Sequence, residues 1–105
     1  MSWVDLGAAD LEDGELREVV SGDLHLGVTR VGDTWRAFEV WCTHAECPLT
    51  DGWLEGSAVR CACHGALFDL ATGQPLDGPA EEPIRIFDTR EVGGRVESQL
   101  PATDT

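Results

Sequence analysis

Two short segments of the chain combine cysteine with histidine at spacings suited to metal coordination. The first contains Cys42 and His44, and the second contains Cys61 and His64, so the overall pattern is C-x-H-x16-C-x-x-H. Residues i and i+2 of an extended segment point to the same side, so Cys42 and His44 can reach adjacent metal ions. Each segment offers one thiolate and one imidazole, which indicates a metal centre shared between them.

This donor set suits a [2Fe–2S] centre, in which each of two irons needs two protein ligands. Both cysteines can then bind one iron and both histidines the other. Imidazole is neutral whereas thiolate is negative, so such a centre is easier to reduce than one with four cysteines. Zinc is the alternative, but it favours C-x2–4-C pairs and the second segment offers only C-x-C. The six cysteine and histidine residues of this region are Cys42, His44, Cys47, Cys61, Cys63 and His64.

The composition indicates one small domain and argues against several classes of partner. A chain of 105 residues is expected to form a single domain over positions 1–105. Twenty acidic and seven basic residues give a net charge of −13, which argues against binding to nucleic acid or to anionic membranes. An acidic surface keeps a protein soluble, and it can also steer the protein towards a partner with a basic patch.

The sequence predicts a soluble, cytoplasmic protein. The N-terminal segment lacks the basic region and long apolar run of a secretory signal, and the apolar stretches are too short to span a bilayer. Because cytosolic thiols stay reduced, four cysteines beside histidines indicate metal binding before they indicate a disulfide framework.

The elements that must position these ligands are predicted to be β-strands, because short apolar runs alternate with glycine-rich turns. Within the third predicted strand, Trp35 and Ala37 share one face and Phe38 lies on the other. Gly93-Gly94 is a suitable tight turn between the last two strands. The pattern is typical of a small all-β sandwich or barrel. The predicted strands are Leu16–Val20, His25–Arg30, Thr34–Val40, Ile84–Arg90 and Arg95–Ser98.

Residues 41–83 depart from this strand pattern. They contain all four cysteines, two of the three histidines and four of the five prolines. We therefore predict an inserted metal-binding lobe, at about 41–83, that rests on a β base. Trp41 and Trp53 are expected to pack in the core or between lobe and base. The last residues, about 101–105, are expected to form a frayed tail.

The two ligand segments resemble the cluster-binding loops of the Rieske family. The family's CTH and CxCHG…FD motifs match residues 42–44 and 61–69 here. The short length is also similar to that of the Rieske ferredoxins that supply multicomponent oxygenases. The resemblance implies a Rieske-like fold and one [2Fe–2S] cluster. It assigns Cys42 and Cys61 to the inner iron, and the Nδ1 atoms of His44 and His64 to the outer iron near the surface, with Nε2 free to face a partner.

The resemblance also implies roles for three residues that are not ligands. Some members of the family have a disulfide between the two ligand loops, and Cys47 and Cys63 occupy those positions. We therefore expect a Cys47–Cys63 disulfide, with two buried free thiols as the alternative. Pro79 resembles the proline of the loop that shields the cluster. The alternative is that Pro79 belongs to an ordinary turn.

Two positions depart from the high-potential members of the family. Those members have a serine and a tyrosine whose hydroxyls donate hydrogen bonds to the sulfur atoms of the centre. Here Ala66 and Phe68 stand at the corresponding positions. Hydrogen bonds to sulfur stabilise the reduced, more negative cluster. The resemblance therefore implies a reduction potential in the lower part of the Rieske range.

The function implied by the resemblance is one-electron transfer rather than catalysis. A flavin-dependent reductase is expected to give the chain an electron, and a terminal oxygenase of the ring-hydroxylating type is expected to receive it. We expect a monomer with no catalytic residue of its own. One alternative is a fixed small subunit of a larger oxidoreductase, such as a nitrite reductase or an arsenite oxidase. Another is an interaction domain with a degenerate site.

Overall fold

The computed structural model describes residues 2–22, 24–41, 47–63, 65–77 and 82–100. Nearly all of the regular structure in these ranges is β-strand, which confirms the all-β prediction. A helix long and apolar enough for a membrane crossing does not occur in them. The elements are β1 Ser2–Ala8, β2 Leu16–Ser21, β3 Leu24–Val31, β4 Thr34–Glu39, a 3-10 helix Leu49–Asp51, β5 Trp53–Glu55, β6 Ala58–Arg60, β7 Leu67–Asp69, β8 Pro75–Asp77, β9 Ile86–Phe87, β10 Thr89–Val92 and β11 Arg95–Leu100.

Two antiparallel sheets form the base of the molecule. One has the strand order β2-β3-β4-β9 and the other has the order β1-β11-β10. Apolar side chains from both sheets pack together, including Leu26 and Val28 from the first sheet and Leu6 and Val96 from the second. We call this cluster the base core. Its burial removes apolar surface from water and holds the two sheets together.

Strand β4 separates the base core from a second hydrophobic cluster. Successive side chains of a strand point to opposite faces, and accordingly Trp35 and Ala37 lie in the base core. Phe38 points the other way and is fully buried in the second cluster, which we call the lobe core. This arrangement confirms the predicted faces of the strand. The buried residues of the lobe core are Phe38, Cys47, Leu49, Val59, Cys61, Ala66, Phe68, Leu70 and Ile84.

The lobe core is covered by a third antiparallel sheet, with the strand order β5-β6-β7-β8. Each of these strands has three residues, which is too short for an alternating pattern to be recognised in the sequence. Val59 and Phe68 are directly paired across β6 and β7 and are both fully buried. The sheet therefore presents one apolar face to the lobe core and carries the second ligand segment at the β6–β7 connection.

One predicted strand is wrong in its extent. The sequence pattern predicted a single strand over Ile84–Arg90, but the chain changes sheet within it. Strand β9 pairs with β4, whereas β10 pairs with β11. At the change, the carbonyl of Asp88 accepts hydrogen bonds from the Gln99 N–H at 2.9 Å and from the Ser98 hydroxyl at 2.8 Å. These bonds satisfy the backbone where the strand is interrupted.

A close backbone contact joins the β7–β8 turn to the segment that leads into β9. The Ile84 N–H donates a 2.9 Å hydrogen bond to the carbonyl of Gly73. Gly73 has a φ of +83°, and a Cβ atom at this position would lie 2.1 Å from the carbonyl oxygen of Ile84. Only glycine fits here, because it has no Cβ and adopts positive φ without strain.

Candidate functional site

The second ligand segment is a tight loop between β6 and β7. Its ends are closed by two backbone hydrogen bonds. The Cys61 N–H donates to the carbonyl of Ala66 at 2.7 Å, and the Gly65 N–H donates to the carbonyl of Cys61 at 3.0 Å. Gly65 has a φ of +78°, which lets the chain reverse within six residues. The loop therefore holds Cys61 at a fixed place, and His64, which lies outside the described residues, belongs to the same loop.

The residues on either side of the first ligand segment are hydrogen-bonded neighbours. Trp41 and Pro48 form an antiparallel bridge, and the Leu49 N–H donates a 2.6 Å hydrogen bond to the carbonyl of Val40. Residues 42–46, which include Cys42 and His44, lie outside the described residues. Their assignment as ligands therefore stays a prediction, although both ends of the segment are anchored to the base and the lobe core.

A disulfide links the two ligand segments. The Sγ atoms of Cys47 and Cys63 are 1.98 Å apart, and their Cα atoms are 6.3 Å apart. The resemblance implied this pairing. The third described cysteine lies beside it, because the Sγ atoms of Cys47, Cys61 and Cys63 are all within 4.8 Å of one another. The disulfide thus brings the end of the first segment next to Cys61, the predicted ligand of the second.

The disulfide predicts a specific thiol count in the purified protein. When the protein is denatured and alkylated without a reductant, mass spectrometry is expected to find two alkylated cysteines, Cys42 and Cys61. Prior reduction is expected to raise the number to four, because it frees Cys47 and Cys63. In a Cys47→Ser control, three alkylated cysteines are expected without a reductant. Four alkylated cysteines in the unreduced wild-type protein would show that the disulfide does not form.

The donor chemistry of the site fits an iron–sulfur centre. Cys61 is fully buried among apolar side chains of the lobe core, where an uncompensated thiolate is costly. A bound cation removes that cost. Sulfur atoms in a disulfide cannot act as thiolate ligands, so the zinc alternative that uses the Cys42–Cys47 pair does not fit. The remaining donors form the mixed set expected for a Rieske-type centre: Cys42, His44, Cys61 and His64.

The surroundings of Cys61 contain apolar groups where high-potential Rieske proteins have hydroxyls. Ala66 and Phe68 are both fully buried in the lobe core. Neither side chain can donate a hydrogen bond to a sulfur atom. The structure therefore places Ala66 and Phe68 in the same apolar cluster as the predicted ligand Cys61.

Arg60 is a polar residue of the site that the sequence analysis missed. It precedes Cys61, and its side chain donates hydrogen bonds to Glu55 and to the carbonyl of Gly65. The Arg60 guanidinium lowers the pKa of the Glu55 carboxyl, and the Trp53 indole N–H lowers it further. In turn, the Glu55 carboxylate raises the pKa of Arg60. Arg60 is the only basic residue between positions 41 and 83, and this isolation was the available signal.

Two tryptophans near the site differ from their predicted environment. Trp41 and Trp53 were expected to pack in the core or between lobe and base, but their exposed fractions are 41% and 49%. Trp41 lies beside the base strand β3, because its ring centroid is 5.7 Å from that of His25. Trp53 donates its indole N–H to Glu55 at 3.0 Å. The indoles therefore flank the ligand segments at the surface rather than filling a core.

The proline proposed to shield the cluster cannot be placed. Pro79 lies in residues 78–81, outside the described residues, so its role stays a prediction. The strand that leads to it is described: in β8, Asp77 pairs with Leu67 of β7. The Pro79 segment thus starts one strand away from the second ligand loop.

Comparison with known proteins identifies the family. The family model of the Rieske [2Fe-2S] domain matches residues 2–88. The anthranilate 1,2-dioxygenase ferredoxin subunit of Burkholderia cepacia is 36% identical over 96 residues, which cover 90% of this chain and 89% of that protein. A chain in the solved complex of reduced oxygenase and oxidized ferredoxin in carbazole 1,9a-dioxygenase is 36% identical, with a TM-score of 0.87 and 91% of each chain covered.

A second solved structure agrees with this match. The Sphingomonas yanoikuyae B1 ferredoxin superposes with a TM-score of 0.89 at 29% identity, covering 95% of this chain and all of that one. Similarity therefore extends over the base as well as the lobe. The cofactor of the chain is a Rieske-type [2Fe–2S] cluster, in keeping with the buried thiol and the mixed donor set. The chain belongs to the Rieske [2Fe-2S] domain family.

Proposed function

We propose that this chain carries single electrons from a flavin-dependent reductase to the terminal component of a ring-hydroxylating oxygenase. The observation that carries the proposal is its similarity, over nine tenths of both chains, to a dioxygenase ferredoxin subunit. The carbazole 1,9a-dioxygenase complex contains an oxygenase together with a ferredoxin, which supports an oxygenase as one partner. The chain acts as an electron-transfer component and leaves substrate oxidation to that partner.

Four residues of the site would hold the cluster, and the two histidines among them would also face the partner. When bound, the cluster supplies a one-electron redox couple. Cys42 and Cys61 would hold the inner iron, and His44 and His64 would hold the outer iron. Burial of Cys61 in the lobe core keeps water from the thiolate side. The imidazole edges of the two histidines would then be the groups presented to a redox partner.

The direct test combines the purified chain with a reductase and a terminal oxygenase from the same organism. The chain, reduced anaerobically, is expected to be reoxidised on mixing with oxidised oxygenase, as followed in its visible spectrum. In steady state, oxygenase product is expected to depend on the concentration of the chain. Equal product without the chain would contradict the proposal. Permanent co-elution with a larger oxidoreductase would instead identify a fixed subunit.

The reduction potential is expected in the lower part of the Rieske range, which spans roughly −150 to +300 mV. The reason is that Ala66 and Phe68 cannot donate hydrogen bonds to sulfur, so the reduced cluster loses that stabilisation. Redox titration followed by electron paramagnetic resonance measures the value. A Phe68→Tyr variant is the matched comparison, and it is expected to raise the potential. A wild-type potential above the middle of the range would contradict this explanation.

Electron transfer to the partner is expected to slow as ionic strength rises. The chain carries a net charge of −13, and reduction adds one more negative charge. Attraction to a basic partner surface is screened over about 10 Å at 0.1 M salt and about 3 Å at 1 M. Stopped-flow rates at increasing salt concentration measure the effect. Two variants, Asp51→Asn and Glu12→Gln, each remove one exposed negative charge. Asp51→Asn, in the lobe, is expected to lower the low-salt rate more than Glu12→Gln. Rates that do not change with salt would rule out electrostatic steering.

A further inference from the structure

Arg60 occupies an unusual electrostatic position in the lobe. It is the last residue of β6 and directly precedes the ligand Cys61. Its side chain is largely buried, with an exposed fraction of 22%. Between positions 41 and 83 it is the one basic residue among seven acidic ones. The acidic residues are Glu46, Asp51, Glu55, Asp69, Asp77, Glu81 and Glu82.

The guanidinium of Arg60 contacts three separate parts of the lobe. Its Nε and Nη2 atoms donate to the two oxygens of Glu55 at 2.5 and 2.9 Å, so that β5 is held by a bidentate pair. Its Nη1 atom donates to the carbonyl of Gly65 at 2.6 Å and lies 3.5 Å from Asp77 Oδ2. Such a planar fork can satisfy several acceptors at once, whereas the ammonium of lysine is a point charge.

The contact with Gly65 bears directly on the ligand loop. Gly65 follows His64 in the chain, and its carbonyl accepts the hydrogen bond from Arg60 Nη1. The contact with Asp77 bears on the segment of Pro79, because Asp77 is the last residue of β8 before residues 78–81. One side chain therefore connects the hairpin β5–β6, the carbonyl next to a histidine ligand and the start of the Pro79 segment.

We propose that Arg60 is a positioning residue that fixes the second ligand loop around the cluster through the carbonyl of Gly65. The inference rests on the proposed ligation by His64. The Arg60–Glu55 pair still reaches the surface, because 41% of the Glu55 side chain is exposed, and ion pairs at the surface contribute little to global stability. The role of Arg60 is therefore local. It orients the loop that holds Cys61 and His64, and it anchors that loop to Glu55. Partners that orient metal ligands in this way control how firmly the metal is held.

The test compares Arg60→Gln and Arg60→Lys with Arg95→Gln in the cluster-loaded protein. Arg95 is a matched control in the base, because it pairs with Asp5 at 3.0 Å and its loss changes the net charge equally. Three quantities are measured: the rate of cluster loss to an iron chelator, the visible circular dichroism of the cluster, and hydrogen exchange of residues 61–66 by mass spectrometry. The melting temperature reports global stability.

Arg60→Gln is expected to lose its cluster about 10-fold faster than wild type, within the range found for groups that orient metal ligands. Exchange of residues 61–66 is expected to increase and the cluster dichroism to change, whereas Arg95→Gln matches wild type in all three. Arg60→Lys is expected to give values between those of wild type and Arg60→Gln, because lysine keeps the positive charge but lacks the planar guanidinium that bonds several acceptors. If Arg60→Gln folds poorly, Glu55→Gln is expected to show a smaller change in the same direction.

The outcomes separate this inference from the proposed function. Cluster loss, dichroism and loop exchange that are the same in Arg60→Gln and Arg95→Gln would overturn the role of Arg60. A uniform increase in exchange over the whole chain would also overturn it, since that indicates a global effect. If the wild-type centre takes up no electron, the proposed function fails, but the exchange of residues 61–66 still decides whether Arg60 positions the loop.

Discussion

Replacement of Cys61 by alanine is expected to abolish cluster binding. Cys61 is fully buried in the lobe core and is predicted to be one of two thiolate ligands. Changes to groups that only orient a ligand cost roughly 10–100-fold in metal affinity, and loss of a ligand itself is expected to cost more. Iron and acid-labile sulfide per chain should fall to background, and the visible absorption of the cluster should disappear. The measurement is metal analysis of the purified variant.

The matched control is the double variant Cys47→Ala, Cys63→Ala. It removes two neighbouring sulfur atoms but no predicted ligand, so it is expected to retain the cluster with a shorter lifetime. Far-ultraviolet circular dichroism checks that both variants keep their β structure. Cluster loss in the double variant equal to that in Cys61→Ala would show that the disulfide sulfurs, and not Cys61 alone, are essential. Cluster retention in Cys61→Ala would refute the ligand assignment.

Replacement of Gly73 by alanine is expected to be among the most destabilising single changes outside the ligands. The new Cβ would lie 2.1 Å from the carbonyl oxygen of Ile84, and the residue would keep a φ of +83°. Positive φ alone costs an alanine about 1–2 kcal/mol. The overlap with backbone adds to this, for a total loss of about 4 kcal/mol in the free energy of unfolding. Thermal unfolding should show a melting temperature lower by roughly 15–30 °C.

Gly56→Ala provides the control for the backbone strain. Gly56 also has a positive φ, of +63°, but no atom lies within 4 Å of the added Cβ. Gly56→Ala is therefore expected to lower the free energy of unfolding only by the backbone strain, about 1–2 kcal/mol. Similar melting temperatures for the two variants would mean that the chain near Ile84 moves away freely. That result would contradict a fixed contact between the β7–β8 turn and the segment before β9.

The sequence was sufficient to predict the longer strands whose neighbours are close in the chain, but not the three-residue strands β5 to β8. Strands β2, β3 and β4 follow each other through tight turns, and their alternation was readable in segments such as Thr34–Glu39. Strand β1 was not predicted. Leu6 is the one buried residue of β1, and the strand pairs with β11 at the other end of the chain. A strand that depends on so distant a partner carries little local signal.

The site shows the same division between local and distant information. The spacing of Cys61 and His64 is a property of one short segment, and it was recognised directly. The role of Arg60 depends on Glu55, Gly65 and Asp77, which meet only after β5 to β8 have paired. Propensity and periodicity describe a residue's immediate neighbours. They carry no information about three acceptors that separate hairpins bring together.

The disulfide closes a covalent ring that contains β5, the Gly56 turn and β6. Its two cysteines are 16 positions apart. In a chain-entropy model, a ring of this size lowers the conformational entropy of the denatured ensemble and so stabilises the fold by about 3 kcal/mol. A chain unfolded by heat or urea therefore still has its two ligand segments covalently linked. Refolding of the cluster-free chain after denaturation should accordingly be efficient while the disulfide is intact and poor after treatment with dithiothreitol, which breaks it.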